Sequence, residues 1–281
     1  MKKLHLVTIV LIVASIILSA CASPATEAPA TEMPATAAPA TEAPATEAPA
    51  ALKVGVVTDV GQLEDKSFNQ AAYEGGKAAA EGLGATFDVI VTQNISDYKQ
   101  NIQTFIDQGF NVIITVGFLL GTDTTIAAKE NPDVKFIGLD QGICVDEAGA
   151  PDATFTCAGD AATLLPNYQG ILFAEEQAGY LAGIVAASIS KSGTIGAVGG
   201  TNVPAVVAYN AGYVAGAQSV NPDIKTLYQE TNPDPAKGFN DPATGKAIAQ
   251  QFIGQGADVL LHDVDVVAIR MKRRDASLLP L

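Results

Sequence analysis

One pattern of residues occurs twice in this chain, and the repetition limits the folds that it can adopt. The segment Val57–Gln70 (VTDVGQLEDKSFNQ) follows an apolar run and opens a helical pattern. A shift of 141 residues lays Thr194–Gly200 over that run and Tyr209-Asn210 over Phe68-Asn69. Two similar halves, each with an aromatic residue just past the carboxyl end of a strand, predict a cleft with an aromatic residue on either wall.

A second internal match supports the duplication, because Gln103–Ile113 aligns with Gln250–Leu260 at a similar offset of 147 residues. Between and around these segments, short β-branched runs alternate with helical patterns. This alternation predicts an α/β fold in two lobes, with parallel sheets flanked by helices and ligands at the carboxyl ends of the strands. The predicted strands are Lys53–Thr58, Thr86–Thr92, Asn111–Val116, Val134–Asp140, Thr194–Val198, Asp223–Tyr228 and Ala257–Leu261.

The predicted helices are identified by their ends and by their apolar spacing. The first begins at Ser67, where Ser67 and Gln70 resemble a capping box. The second carries Tyr98, Ile102, Phe105 and Ile106 on one face. The others are Thr122–Lys129, Glu175–Ser188, Pro204–Ser219 and Pro242–Gln255.

The N-terminus has the features of an exported lipoprotein. Residues 1–20 combine Lys2 and Lys3 with an apolar run, which predicts a signal peptide, and Leu18-Ser-Ala-Cys21 resembles a lipobox with Cys21 as the lipid attachment site. The alternative is an uncleaved membrane anchor, although the run is short for a span. Residues 21–51 repeat Ala, Pro, Thr and Glu and cannot bury a core, so we expect a disordered tether. The chain is therefore predicted to be anchored in the cell membrane by lipid, on its extracytoplasmic side.

The remainder divides into predicted lobes at residues 52–165 and 166–261. Residues 141–169 interrupt the alternation and are interpreted as a crossover insertion between the lobes. Cys144 and Cys157 lie in this insertion, and in an exported chain a disulfide between them is expected, the alternative being free or metal-bound thiols.

The last stretch, residues 262–281, departs from the duplication. No loop glycine, helix and strand of the expected kind follow Leu260, and four basic residues gather in an otherwise acidic chain. We interpret the second lobe as incomplete, with an atypical tail that a frameshift or a truncated gene model would explain; a real, divergent tail is the alternative. The basic residues are Arg270, Lys272, Arg273 and Arg274.

Composition excludes several function classes. With 16 basic against 30 acidic residues, the net charge of −14 argues against a nucleic acid partner, which needs a basic face. His5 and His262 are the only histidines, so a His-based catalytic triad or metal site is not expected. Asp59, Glu64 and Asp65 lack the spacing of a calcium loop. The sequence predicts neither an enzyme, nor a cofactor, nor a metal site.

The family resemblance of this chain rests on the motifs Val57–Gln70, Val116–Leu120 (VGFLL), Asn131–Phe136 (NPDVKF), Asp140-Gln141, Glu175–Gly183, Gly212–Ala217 and Gly254–Val259. Together they resemble the basic membrane protein family of bacterial lipoproteins, relatives of the purine nucleoside receptor that serve ABC importers. The resemblance covers about Lys53 to Leu260. It implies a type I periplasmic-binding-protein fold that closes on a purine nucleoside, with ABC permease subunits as partners and with the chain expected to be a monomer. A surface sensor or adhesin using the same fold is the alternative.

The resemblance also implies roles for individual residues. Phe68 corresponds to an aromatic that stacks on the base, and Tyr209 occupies the opposite position, where Phe is usual. Asp59 would lie at the polar edge of the base, and Asp140 would bind the ribose. Alternatives stay open, because Phe68 and Tyr209 could be core residues and the two carboxylates could be helix caps.

Asn69 and Gly117 complete the predicted ligand-binding set. An asparagine in the position of Asn69 more often bridges a loop than touches ligand, and Gly117 suits a tight turn under either interpretation.

Overall fold

The structure, a computed structural model, describes residues 51–262 together with the backbone of Arg270 and Met271. The predicted signal peptide, Cys21, the tether up to Ala50 and most of the tail lie outside the described residues. Within the part that is described, no helix has both the length and the apolar character that crossing a membrane requires.

The first sheet is entirely parallel, with strand order β2-β1-β3-β4-β5. Its central strands form because their β-branched residues are buried: in β1, Val54, Val56 and Val57 are all nearly inaccessible. The main core of this lobe lies between the sheet and the helices, around Tyr98, Phe105 and Phe136. The strands are β1 (Lys53–Val57), β2 (Thr86–Ile90), β3 (Val112–Val116), β4 (Lys135–Leu139) and β5 (Tyr168–Ile171), and the helices are α1 (Phe68–Gly82), α2 (Tyr98–Asp107), α3 (Gly121–Glu130) and α4 (Ala161–Leu164).

The second sheet has the order β7-β6-β8-β9, and β9 is antiparallel to β8. Buried side chains on both of its faces, including Ile195 and Val198, form separate clusters beneath the helices. The strands are β6 (Thr194–Gly199), β7 (Lys225–Glu230), β8 (Val259–His262) and β9 (Arg270–Met271), and the helices are α5 (Glu175–Ile189), α6 (Pro204–Val220), α7 (Pro235–Gly238) and α8 (Pro242–Gly254).

Helices α5 and α6 contact one another through glycines. A Cβ at Gly179 or Gly183 on α5 would lie 2.0 or 2.1 Å from a carbonyl oxygen of α6, and a Cβ at Gly212 or Gly216 on α6 would lie 2.0 Å from a carbonyl oxygen of α5. The two backbones are therefore in direct contact, which a side chain at any of the four positions would prevent. This pair covers one face of the second sheet.

The structure corrects the predicted lobe boundary. Strand β5 pairs in parallel with β4, with Phe136 opposite Tyr168, so residues 168–171 belong to the first sheet and the boundary at 165/166 was placed too early. The insertion is not wholly irregular either, since it contains α4 and the start of β5. Cys144 and Cys157 are joined there as a disulfide.

The predicted capping box is also wrong, because Ser67 makes no side-chain hydrogen bond to the helix. The carboxylate of Asp65 caps α1 instead, accepting from the backbone N–H groups of Ser67 (2.7 Å), Asn69 (2.9 Å) and Gln70 (3.1 Å). An ionised carboxylate is a stronger acceptor than a hydroxyl for the unpaired N–H groups of a helix start. Gln70 does reach back, but it accepts from the N–H of Lys66.

Candidate functional site

Three of the predicted ligand-binding residues lie at one edge of the first sheet. Asp59 follows β1, Gly117 follows β3, and Asp140 follows β4. Because β1, β3 and β4 are neighbours in the sheet and all run in parallel, their carboxyl ends meet at this edge. The edge therefore carries two carboxylates on either side of a glycine turn.

Asp59 is held in place by α2 and by its own loop. Its Oδ1 accepts hydrogen bonds from the Tyr98 hydroxyl and from the backbone N–H of Val60, the latter at 2.7 Å. Burial raises the pKa of Asp59 to about 6, and the two hydrogen bonds oppose that rise. At neutral pH the side chain is therefore an ionised, oriented acceptor, although an unusually basic one.

Gly117 packs directly against this carboxylate. A Cβ at residue 117 would lie 2.2 Å from Oδ2 of Asp59, and the glycine has φ +98°, a conformation that L side chains rarely adopt. Both observations require glycine here. The absence of a side chain at Gly117, in the turn after β3, thus leaves room for the Asp59 carboxylate.

Asp140 lies at the point where the chain leaves β4. Its backbone is in the left-handed region at φ 60°, and its N–H donates to the carbonyl of Ile171 in β5 at 2.7 Å. The pKa of Asp140 is raised to about 6 by burial first, and then by the neighbouring carboxyl groups of Glu175 and Asp59. Glu175, which shares a hydrogen bond with Asp140, is the first residue of α5. Three carboxyl groups therefore contribute to this site.

A buried glutamine holds the strands and the turn next to these groups in place. Gln141 is 1% exposed, and its Oε1 accepts from the hydroxyls of Tyr168 and Thr115. Its Nε2 donates to the carbonyl of Gly117 at 2.9 Å. A Cβ at Gly138 would overlap the Gln141 side chain. Gln141, which follows β4, thus connects Thr115 of β3 with the first residue of β5 and fixes the turn that carries Gly117.

Phe68 and Asn69 differ in the exposure of their side chains. Phe68, the first residue of α1, is 37% exposed, as a ring available to a ligand must be. Asn69 is buried, and its Oδ1 accepts from the N–H of Asp59 at 3.1 Å while its Nδ2 reaches the carbonyl of Gln62 at 3.5 Å. Its observed contacts close the loop that carries Asp59, and its contact with ligand stays a prediction.

Tyr209 lies on the second sheet's side, on α6. Unlike Phe68, it is not at the start of its helix, because α6 begins at Pro204. The ring packs partly against the core cluster of the second sheet. Together with Asn210 and Tyr228 it lines a small cavity beside the end of β6. The pairing of Tyr209 with Phe68 across a cleft stays a prediction.

Sequence reasoning missed four side chains that the structure places in or beneath these sites: Tyr98, Gln141, Glu175 and Asn210. Tyr98 is indistinguishable in sequence from an apolar residue of a helix face, and its hydroxyl contact with Asp59 spans 39 residues. Gln141 and Glu175 carried a usable signal, since both lie in the quoted family motifs. Asn210 corresponds to Asn69 under the shift of 141 residues, and this correspondence is a signal for it in the sequence. Within the described residues, no group of three or more His, Cys, Asp or Glu side chains is arranged to hold a metal ion.

Comparisons with known proteins identify the family of this chain. A family model described as ABC transporter substrate-binding protein PnrA-like matches residues 52–275. The ABC transporter nucleoside-binding protein BmpA of Lactococcus lactis subsp. cremoris is 34% identical over 213 residues, which cover 74% of this chain and 54% of that protein. Basic membrane protein B of Borreliella burgdorferi is 29% identical over 213 residues, 74% of this chain and 56% of the relative. The chain thus spans about half the length of the curated relatives that it matches.

A solved structure also resembles the chain. It is an ABC transporter solute-binding protein from Aeropyrum pernix K1, with a TM-score of 0.62 and 27% sequence identity, and the match covers 76% of this chain and 55% of that one. The predicted α/β fold of the type I periplasmic-binding class, with parallel sheets flanked by helices, is confirmed.

Proposed function

Because the chain belongs to the family of PnrA-like ABC transporter substrate-binding proteins, we propose that it captures a purine nucleoside and delivers it to an ABC importer. The nucleoside assignment is supported by the Lactococcus relative, which is named a nucleoside-binding protein. Lipid attachment at Cys21, on the extracytoplasmic side of the cell membrane, is part of the same proposal and is supported by the sequence of the leader. We further propose that the protein is a monomer and that it catalyses no reaction.

One observation carries the proposal: Asp59 and Asp140 lie at one edge of the first sheet, and the exposed ring of Phe68 begins the helix whose next residue, Asn69, accepts from the N–H of Asp59. Phe68 would stack on the base, and Asp59 would accept from its polar edge. Asp140 would accept hydrogen bonds from the ribose hydroxyls, which are donors that need no ligand charge. Tyr209 would cover the other face of the base when the two lobes close.

The charge of the site disfavours an anionic ligand. Asp59, Asp140 and Glu175 interact closely enough to raise the pKa of Asp140. A phosphate brought to these carboxylates would be repelled, and like charges close together in a poorly solvated site cost several kcal/mol. We therefore expect nucleosides to bind and the corresponding nucleotides to be rejected.

Thermal unfolding of the full chain in mild detergent tests the proposal. Guanosine, adenosine and inosine are each added at high concentration, with GMP as the charged comparison. A nucleoside present at about 100 times its dissociation constant should stabilise the fold by about 2.7 kcal/mol, which raises the midpoint clearly, whereas GMP should not. A cooperative transition that no nucleoside moves would contradict the ligand assignment.

A matched pair of variants locates the binding surface. Phe68→Ala removes the stacking ring, and since stacking on an aromatic side chain contributes about 1–3 kcal/mol per base, affinity should fall about 10- to 100-fold. Leu83→Ala is the control, because this leucine lies at the other end of the same helix and is 69% exposed. If the two variants bind alike, Phe68 does not stack on the base.

A further inference from the structure

Asn210 carries an acceptor that the protein leaves unused. Its Oδ1 is buried and, among the described residues, has no hydrogen-bond partner. A buried acceptor without a partner is costly, so a native protein that retains one calls for an explanation. Asn210 lies on α6, directly after Tyr209.

The duplication shows what an asparagine does in this position when its partner is present. Asn69 is the counterpart of Asn210 in the first lobe, and its Oδ1 accepts from the backbone N–H of Asp59, in the loop between β1 and α1. That loop runs from Thr58 to Ser67, whereas the second lobe passes from the end of β6 at Gly199 to the start of α6 at Pro204. In the shorter connection the Oδ1 of Asn210 receives no equivalent donor.

The surroundings of Asn210 suit a ligand group. It lines a small cavity with Tyr209, Tyr228 and the end of β6 at Val198 and Gly199. This is the carboxyl end of a central parallel strand, where ligands bind in folds of this type. The neighbouring walls are apolar or aromatic, so a single neutral acceptor there would recognise a single neutral donor.

We propose that Oδ1 of Asn210 accepts a hydrogen bond from the exocyclic amino group of the bound purine nucleoside. This inference rests on the proposed function, in which Tyr209 stacks on the base, because the residue next to the stacking ring then meets an edge of the base. The ribose hydroxyls are assigned to Asp140 in the other lobe, so the donor for Asn210 is assigned to the base, and an exocyclic amino group is the base donor that guanosine and adenosine have in common. The site is therefore selective for aminopurine nucleosides over their desamino analogues.

Two ligand pairs isolate the amino group. Guanosine differs from inosine only in its 2-amino group, and adenosine differs from purine riboside only in its 6-amino group. A site that contains a buried acceptor discriminates against an analogue lacking the donor, because the acceptor is then left unpaired. The dissociation constants of all four nucleosides are measured by calorimetry on the full chain.

In the unaltered chain we expect one amino nucleoside to bind at least 10-fold more tightly than its desamino partner. Asn210→Ala should erase that preference while still binding the nucleosides, and Asn210→Asp, which keeps an acceptor, should retain it. The ligand-free unfolding midpoint of Asn210→Ala should not fall, because this substitution removes an unpaired polar group. If Asn210 has only a structural role, Asn210→Ala should lower the ligand-free unfolding midpoint and leave the amino preference unchanged.

The outcomes distinguish the role of Asn210 from the proposed binding of nucleosides. A chain that binds nucleosides without any amino preference overturns the role of Asn210 and leaves the proposed function standing. An amino preference that persists in Asn210→Ala also overturns that role. A chain that binds none of the four nucleosides overturns both.

Discussion

The glycine contacts between α5 and α6 make a quantitative prediction about stability. Replacing Gly183 by alanine places a Cβ 2.1 Å from the carbonyl oxygen of Tyr213 and 2.7 Å from the amide nitrogen of Ala217. Both neighbours are backbone atoms, so the overlap can be relieved only if the helices move apart by about 1 Å. Overpacking of this kind typically costs about 1–3 kcal/mol, and occasionally more.

The helix preference of alanine acts in the opposite direction, and comparison with a control variant cancels this contribution to stability. Alanine is favoured over glycine in a helix interior by about 0.8–1.0 kcal/mol. Gly75→Ala gains the same preference in α1, a helix of equal length, but the added Cβ meets nothing within 4 Å. The difference between the two variants therefore isolates the packing cost.

We expect Gly75→Ala to be slightly more stable than the unaltered chain and Gly183→Ala to be about 1–3 kcal/mol less stable than Gly75→Ala. Urea denaturation followed by far-UV circular dichroism measures both free energies of unfolding. If the two variants are equally stable, α5 and α6 are not in backbone contact at Gly183, and the account of this helix pair is wrong.

Three further predictions concern the first lobe. Burial raises the pKa of Asp59 from 3.8 to about 6, so between these pH values the folded chain binds more protons than the unfolded chain. The stability that this group contributes is therefore present at low pH and is lost as pH rises through 6. Asp59→Asn should flatten the dependence of unfolding free energy on pH between 3.8 and 6 by up to about 1.4 kcal/mol per pH unit, as urea denaturation at several pH values will show. Gly117→Ala should destabilise by at least about 2 kcal/mol more than Gly84→Ala, because Gly117 lies at φ 98°, ψ 151°, a region essentially restricted to glycine, and its added Cβ would overlap Asp59, whereas Gly84 has φ 65° and open space around it. Thermal melts of both variants measure the difference. Replacing Cys144 and Cys157 by serine should cost about 3 kcal/mol on the chain-entropy model, and dithiothreitol should lower the melting midpoint of the unaltered chain but not of this variant.

Much of the fold followed from local patterns. The strands with β-branched runs, such as β1 and β3, lie within a residue or two of their predicted bounds because their burial on both faces demands a continuous apolar run. Strand β5 was missed because Tyr168-Gln-Gly-Ile171 has no such run, and only its pairing with β4 makes it a strand. Pairing between distant segments is not visible in a local pattern.

The candidate site likewise has a part that local patterns predict and a part that depends on contacts between distant segments. Asp59, Gly117 and Asp140 could be predicted together because each follows a strand, and parallel strands bring their carboxyl ends to one edge. The contact of Asp140 with Glu175 could not, since it depends on where α5 begins after the chain leaves β5. The cap of α1 was assigned to the wrong residue because Asp65 and Ser67 are both suitable acceptors and only the path of the loop decides between them.

Equilibrium dialysis of the full chain against radiolabelled guanosine or adenosine tests the central claim most directly. The account predicts saturable binding at one site per chain, competed by unlabelled nucleoside but not by GMP, and weakened in Phe68→Ala but not in Leu83→Ala. Retention that does not saturate, or binding that Phe68→Ala leaves intact, would contradict the claim that this edge of the first sheet binds a nucleoside.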